Sequence, residues 1–366
     1  MMIVIKCVIM ANSSDIYAAE TSCPTASYYI ENIETSALAE TSEDARVEAT
    51  SQGLIVAWNR LQQRLLISGQ NVPDITSADQ ILPMLDYTRL VNETVLPSRY
   101  QAVFDYCFDR LKIRDYFAQQ NLLHAELMSG SILVLPVWMT PEGPHLWRRP
   151  NPWAESWVRV LSHHDGLLDL RLPSTLATER SVDVLPLLAR NPDTLAKAAS
   201  LEKTERVLLI VMTPELTETG LRVSVDANLF NKSGTFDARA YSLDNAVLDS
   251  DEMDSAIDAI ALTLLTGVED VWRSTNVVNL QDSGILIVSV KARSLKEWRS
   301  SLDILASLSP VENVSVINLA ANGGIVQIKL GGSITSLNYA LEQHGLTLKE
   351  QGDTKQSYLS LDRIVN

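Results

Sequence analysis

Cysteine is scarce in this chain of 366 residues: Cys7, Cys23 and Cys107 are the only three, and none stands in a CxxC pair or at zinc-ligand spacing. That argues against a disulfide scaffold and a structural zinc site, and Cys107, alternating with aromatic residues, reads as inert packing. Basic charge is also thin, with 30 Lys and Arg against 45 Asp and Glu and a net charge of −15. The densest basic groupings, Arg148-Arg149 and Arg110, Lys112 and Arg114, are too small for the counterion release that holds a phosphate backbone, so nucleic acid is not an expected partner. No apolar stretch reaches about 18 residues, so no membrane-spanning helix is expected. Neither a GxSxG elbow nor a P-loop is present, and Gly323-Gly324 and Gly331-Gly332 read as turn or strand-end glycines; no cofactor is expected.

What is present is ordinary globular material. Apolar residues make up 46% and charged residues 20%, enough to bury a core, and the length points to two or three domains. The first 25 residues stand apart. Met1 to Met10 is almost wholly apolar, interrupted by Lys6, and leads to Tyr17-Ala18-Ala19. This has the outline of a degenerate export signal, which normally has a basic start and an unbroken apolar run. Taken alone it leaves export to the periplasm and a cytoplasmic location equally open, because Lys6 sits inside the run.

Residues 26–125 predict a first α+β domain. A strand over Tyr28–Ile33 precedes a helix capped by Thr41 with Asp44 as its partner, whose stripe is Leu54, Ala57, Trp58, Leu61 and Leu65. A shorter helix starts at Ser77, with Gln80 as its cap. Two strands then flank Pro97-Ser98; the second places Tyr100, Ala102, Phe104, Tyr106 and Phe108 on one face. Asp109 caps the helix that follows.

Residues 130–280 predict a central α/β domain. Ile132–Val137 reads as a buried strand, and Asn151-Pro152 and Asn191-Pro192 as helix starts. Val207–Met212 is a second buried strand, and Leu221–Phe230 with Thr235–Tyr241 forms a hairpin. A helix marked by Met253, Ile257, Ile260, Leu264, Val268 and Trp272 closes the unit. Residues 284–352 then follow a β-α-β-β-α-β order, predicting a ferredoxin-like unit, with a capping box at Ser294 and Glu297 and a terminator at Gly345. Residues 353–366 read as an edge strand or tail. The fold class expected is therefore α+β: two mixed α/β units followed by a ferredoxin-like unit.

Several of these features together resemble the domain of unknown function 2066 family, uncharacterised bacterial proteins that usually carry an export signal. The resemblance rests on Ala45-Arg46 in the early helix, the aromatic strand ending at Phe108, Leu133-Val134-Leu135-Pro136-Val137-Trp138, and most specifically Leu146-Trp147 followed by Asn151-Pro152-Trp153 and Trp157. It covers residues 27–280 well and the last unit more loosely. It implies a cell-envelope location and no activity. The Pro173-Ser174-Thr175 stretch departs from it, lacking an expected Gly-Asp pair.

Two groups of residues are candidate sites. Trp138, Trp147, Trp153 and Trp157, with Asn151, form either a packed corner or a contact surface, because tryptophan is enriched in cores and at binding hot spots alike. His163, His164 and Asp165 are weak metal candidates: adjacent helical residues point about 100° apart and miss the i, i+4 face of a zinc helix. A polar helix end explains them equally. The acidic group Asp249, Asp251, Glu252 and Asp254 reads as charge at a helix start. The reading that follows is a non-enzymatic envelope protein acting as a binding or assembly module for a protein or envelope component. The alternative is a hydrolase or transferase with a dispersed site near His163, Asp165 and Asp169. The sequence carries no signal for oligomeric state.

Overall fold

The computed structural model describes residues 23, 25–217, 220–248, 253–278, 284–320, 322–351 and 358–363. The apolar leader with Cys7 and three of the acidic group, Asp249, Asp251 and Glu252, lie outside the described residues. The architecture is mixed α+β with three sheets, and among the described residues no helix is long and apolar enough to cross a membrane.

The first sheet has the order β1-β3-β2, from β1 (Tyr29–Leu38), β2 (Leu85–Leu96) and β3 (Arg99–Phe108). Helix α1 (Ser42–Leu65) covers it, with the Thr41 side chain accepting from the Asp44 N–H; the stripe read from the sequence is buried along its length. A short α2 (Ala78–Ile81) leads into β2, without the side-chain cap expected of Ser77. Asp109 caps α3 (Arg110–Gln119) by accepting from the N–H groups of Leu111 and Lys112. Strand β1 runs longer than its alternation predicts. A bulge between Ile30 and Ile33 holds Asn32 at φ +55° and lets both isoleucines, three apart, face the core. That extra residue interrupts the period of two on which the boundary was judged.

The second sheet carries β4 (Ser131–Thr140), β5 (Gly143–His145), β6 (Asp169–Arg171), β7 (Arg206–Thr217), β8 (Gly220–Asn231) and β9 (Phe236–Leu248) in the order β5-β4-β7-β8-β9, with β6 beside β4. Strands β4 and β7 are parallel and β7, β8 and β9 antiparallel. Both faces are covered. Ile132 and Val134 face a core shared with α4 (Pro152–Leu161) and α8 (Met253–Thr275), whereas Leu133, Leu135 and Val137 face one shared with α7 (Pro192–Glu202), α6 (Val184–Leu188) and Val182, which follows the short α5 (Leu176–Ser181). Burial on both sides is why this strand reads as a continuous apolar run.

The third sheet has the order β11-β12-β10-β14-β13, from β10 (Ile285–Lys291), β11 (Val311–Ala320), β12 (Gly323–Leu330), β13 (Leu346–Gln351) and β14 (Tyr358–Arg363), with α9 (Leu295–Ser307) and α10 (Ile334–Gln343) packed on it. The last strand is not the edge or tail expected of it. It inserts between β10 and β13, parallel to the first and antiparallel to the second, and Leu361 joins the core.

The three units meet along residues 122–130. Ala125 belongs to the first core and Leu127 to the third, and isolated bridges join His124 to Leu66 and Ala125 to Val277. Trp272, near the end of α8, packs against the first, central and third cores, donates to the Leu127 carbonyl at 2.7 Å and meets the Tyr339 ring edge-on at 5.1 Å. Trp272→Ala is expected to cost about 3 kcal/mol in a urea denaturation, since it vacates a junction and orphans a carbonyl. A cost below about 1 kcal/mol would show that the junction is not a stability element.

Candidate functional site: a groove between two units and the polar seam beside it

The tryptophan group divides between the two faces of the central sheet. Trp153 and Trp157 are fully buried on the α4/α8 side, edge-on to one another at 5.7 Å, and Trp138 packs on that same side. Trp147 packs on the opposite side, its Nε1 donating to the Val182 carbonyl at 2.7 Å. Asn151, also buried, accepts from the Ala154 N–H at 3.0 Å and donates to the carbonyls of His145 and Leu146. Trp147 therefore shares no contact surface with the other three, and the full burial of Trp153 and Trp157 supports packing for that pair.

The histidine cluster lies at the end of α4, on a groove of about 1290 Å³ between α1, α4 and α8. His163 is exposed on its rim. Asp165 is paired with the Arg64 guanidinium, while Asp169 does not line the groove and is held by Arg171 at 2.6 Å. Of the residues proposed for a dispersed catalytic set, His163 and Asp165 thus line the groove, with Asp165 paired to Arg64, and Asp169 lies off it. No group of three potential metal ligands occurs among the described residues.

What the groove does bring together is His164 and Glu269. Glu269 is buried and accepts from the N–H groups of Leu167 and Leu168, with His164 Nε2 at 3.2 Å and Arg273 at 3.5 Å. A Cβ on Gly166 would stand 2.1 Å from the Glu269 carboxylate, so glycine is what permits this approach. Arg64 and Arg273 carry the contact across the groove. Arg64 donates to the carbonyls of Ser27, Tyr29 and Asp165, and Arg273 to that of Gln63. Each charge is neutralised locally, as buried charges must be.

A second charged cluster centres on Glu126. Glu126 is fully buried, receives the Arg114 guanidinium bidentately at 2.6 Å, and has Arg110 at 3.3 Å, His124 Nε2 at 3.1 Å and the Tyr28 hydroxyl as further partners. Burial alone would raise its pKa, but the His124 hydrogen bond and the Arg114 charge outweigh it and hold the carboxyl well below the usual range. Burial, then the neighbouring Glu126 carboxylate, pushes the Tyr28 hydroxyl well up. Both arginines also donate to the third unit: Arg110 to the Ser309 and Val311 carbonyls and Arg114 to Ser309, each at 2.9 Å.

Sequence reasoning overlooked Glu126, Arg64 and Glu269, and placed Trp272 on a helix stripe without its role at the junction. A usable signal was present in a charge placed on an apolar stripe: Arg64 one residue before Leu65, Glu269 four after Leu265, and Glu126 between Ala125 and Leu127. Reading Cys107 as inert packing was also wrong, because it forms a disulfide with Cys23 across 84 residues, a closure that removes roughly 4.5 kcal/mol of chain entropy from the unfolded state. Neither spacing nor composition reveals which partner a cysteine meets.

No protein-family model matches the sequence, and none of the curated proteins matches it. The structure is therefore described by class alone, as a three-sheet α+β protein whose units are joined by buried polar contacts.

The Pro173-Ser174-Thr175 stretch is occupied internally. Glu202 accepts from the Ser174 and Thr175 N–H groups and hydroxyls and from the Thr178 hydroxyl. Burial, the largest single influence, raises its pKa, but the hydrogen bonds together, led by those from Thr178 and Ser174, outweigh it and bring the carboxyl down to about 2. A depressed carboxyl stabilises the fold above its unfolded pKa of about 4.3, and that contribution is lost as pH falls towards 2. Glu202→Gln should therefore be less stable than wild type in urea at pH 7, and the difference should shrink steadily below pH ~4. A pH-independent difference would show that charge at Glu202 is not what matters.

Proposed function

We propose that this chain is an exported, non-enzymatic protein of the periplasm that acts as a binding or assembly module. The Cys23–Cys107 disulfide carries the reading. Such bonds persist in oxidising compartments and are reduced in the cytosol. Cleavage after Tyr17-Ala18-Ala19 would remove Cys7 and leave an even pair, both joined, which favours a leader over a retained segment. The resemblance to the domain of unknown function 2066 family supports the same location. The third unit is read as a ferredoxin-like sandwich with one added strand: β11, β12 and β10 are neighbours in its order, and β14 stands between β10 and β13.

A binding role finds more support at the sheet edges than at the tryptophan corner. Strand β2 is an edge with Leu90, Val91, Val95 and Leu96 exposed, and β11 is an edge with Val316, Ile317 and Leu319 exposed. Long exposed edges with apolar side chains are normally blunted and are templates for strand addition. The enzyme alternative has less support, because His163, Asp165 and Asp169 are not assembled around one point of the groove.

Cell fractionation with thiol alkylation tests the compartment: the native protein is expected in the periplasmic fraction with no alkylatable cysteine before reduction. Recovery in the cytosol with Cys23 and Cys107 free would end the export reading. In crosslinking pull-downs, Ile317→Lys or Val95→Lys should lose partner that Trp147→Phe retains. Equal recovery by all three would remove the edges as the binding surface.

A further inference from the structure

We infer that the Cys23–Cys107 disulfide is a latch that governs docking between the units, so that opening one covalent bond loosens the polar seam that joins them. Cys107 is doubly tied: it is the register partner of Tyr29 across β1 and β3 and is also bonded to Cys23. The short stretch from Cys23 to Tyr29 is thereby pinned at both ends to one residue of β3. That stretch is where both inter-unit clusters converge. Arg64 donates to the carbonyls of Ser27 and Tyr29 while holding Asp165 of the central unit. Tyr28 donates to Glu126, which orients the two arginines that reach the Ser309 and Val311 carbonyls of the third unit. With the disulfide open, the stretch keeps its non-covalent anchors, Tyr28 in the first core and the Ser27 and Tyr29 carbonyls on Arg64, but loses the covalent tie at Cys23, and its more frequent fraying withdraws one donor from Glu126 and the carbonyl acceptors from Arg64. A buried carboxylate or guanidinium that loses partners is strongly disfavoured, so the docked arrangement weakens as a unit.

The chemistry is dithiol–disulfide exchange. Cys107 is buried and Cys23 partly exposed, so a thiolate of a dithiol reductant attacks the Cys23 sulfur and Cys107 leaves as thiolate. The second thiolate of the reductant then displaces Cys23, leaving two cysteine thiols and one oxidised dithiol after transfer of two electrons. Formation is the reverse, with a disulfide donor as oxidant. The inference depends on the export reading only for where this bond forms in the cell.

Hydrogen exchange on the purified full chain, before and after reduction with dithiothreitol, tests it. Reduction is expected to raise exchange about tenfold at residues 123–128 and 308–312, with β7 and β8 unchanged. Glu126→Gln, which keeps the disulfide, should raise exchange at 308–312 in the oxidised protein, and reduction should add little further there. Faster exchange confined to residues 23–29 would overturn the latch, leaving a local staple. A uniform rise that includes β7 and β8 would overturn it too, leaving a global stabiliser. Cys23→Ser, altering the exposed partner, should reproduce the reduced pattern without reductant, and an unchanged oxidised pattern would count against the inference. Fractionation reports on export and exchange on the latch, so failure of one is distinguishable from failure of the other.

Discussion

A carboxylate with no access to water sets the terms for much of this structure. Taking Glu126 out of solvent costs several kcal/mol unless its oxygens are met by charged and neutral donors in good geometry. The donors come from places far apart in the chain: Tyr28 before the first strand, Arg110 and Arg114 on α3, and His124 in the connecting segment. No single element can satisfy it. The first unit, the connector and the turn into β11 of the third unit are therefore held in one arrangement, because separating them leaves a charge buried without its partners or brings water into the core.

The same logic recurs at the groove, where Glu269 and Asp165 are matched by Arg273, His164 and Arg64. These pairs, with Arg159 and Asp258 beside them, serve the contact between α1, α4 and α8. The exposed apolar side chains lie instead on strands β2 and β11, whose unpaired backbone faces solvent at sheet edges. Interior polar contacts thus hold the units together, while exposed apolar side chains lie at the periphery.

The tryptophan corner illustrates how a compositional signal loses its meaning in three dimensions. Four tryptophans within twenty residues are conspicuous along the chain, yet the turn between β4 and α4 carries Trp147 to one face of the sheet and Trp153 and Trp157 to the other. Proximity in sequence is converted into separation by a sheet. The opposite conversion joins Cys23 to Cys107, and Glu269 to His164, from segments about a hundred residues or less apart.

Local periodicity and capping chemistry were legible in the residues themselves. Thr41 with Asp44, Asp109, Asn151-Pro152, Asn191-Pro192 and Ser294 with Glu297 each begin a helix as their side chains dictate, since a cap hydrogen bond spans only two or three residues. The α+β class and the buried stripes of α1 and α8 follow from the same short-range rules. Tertiary structure alone decided the disulfide, the insertion of β14 inside its sheet, the partition of the tryptophans and the sharing of Glu126 among three segments. Each of these is a pairing between residues distant in the chain, and a single sequence encodes such pairings only through the whole of its packing, so no local pattern announces them.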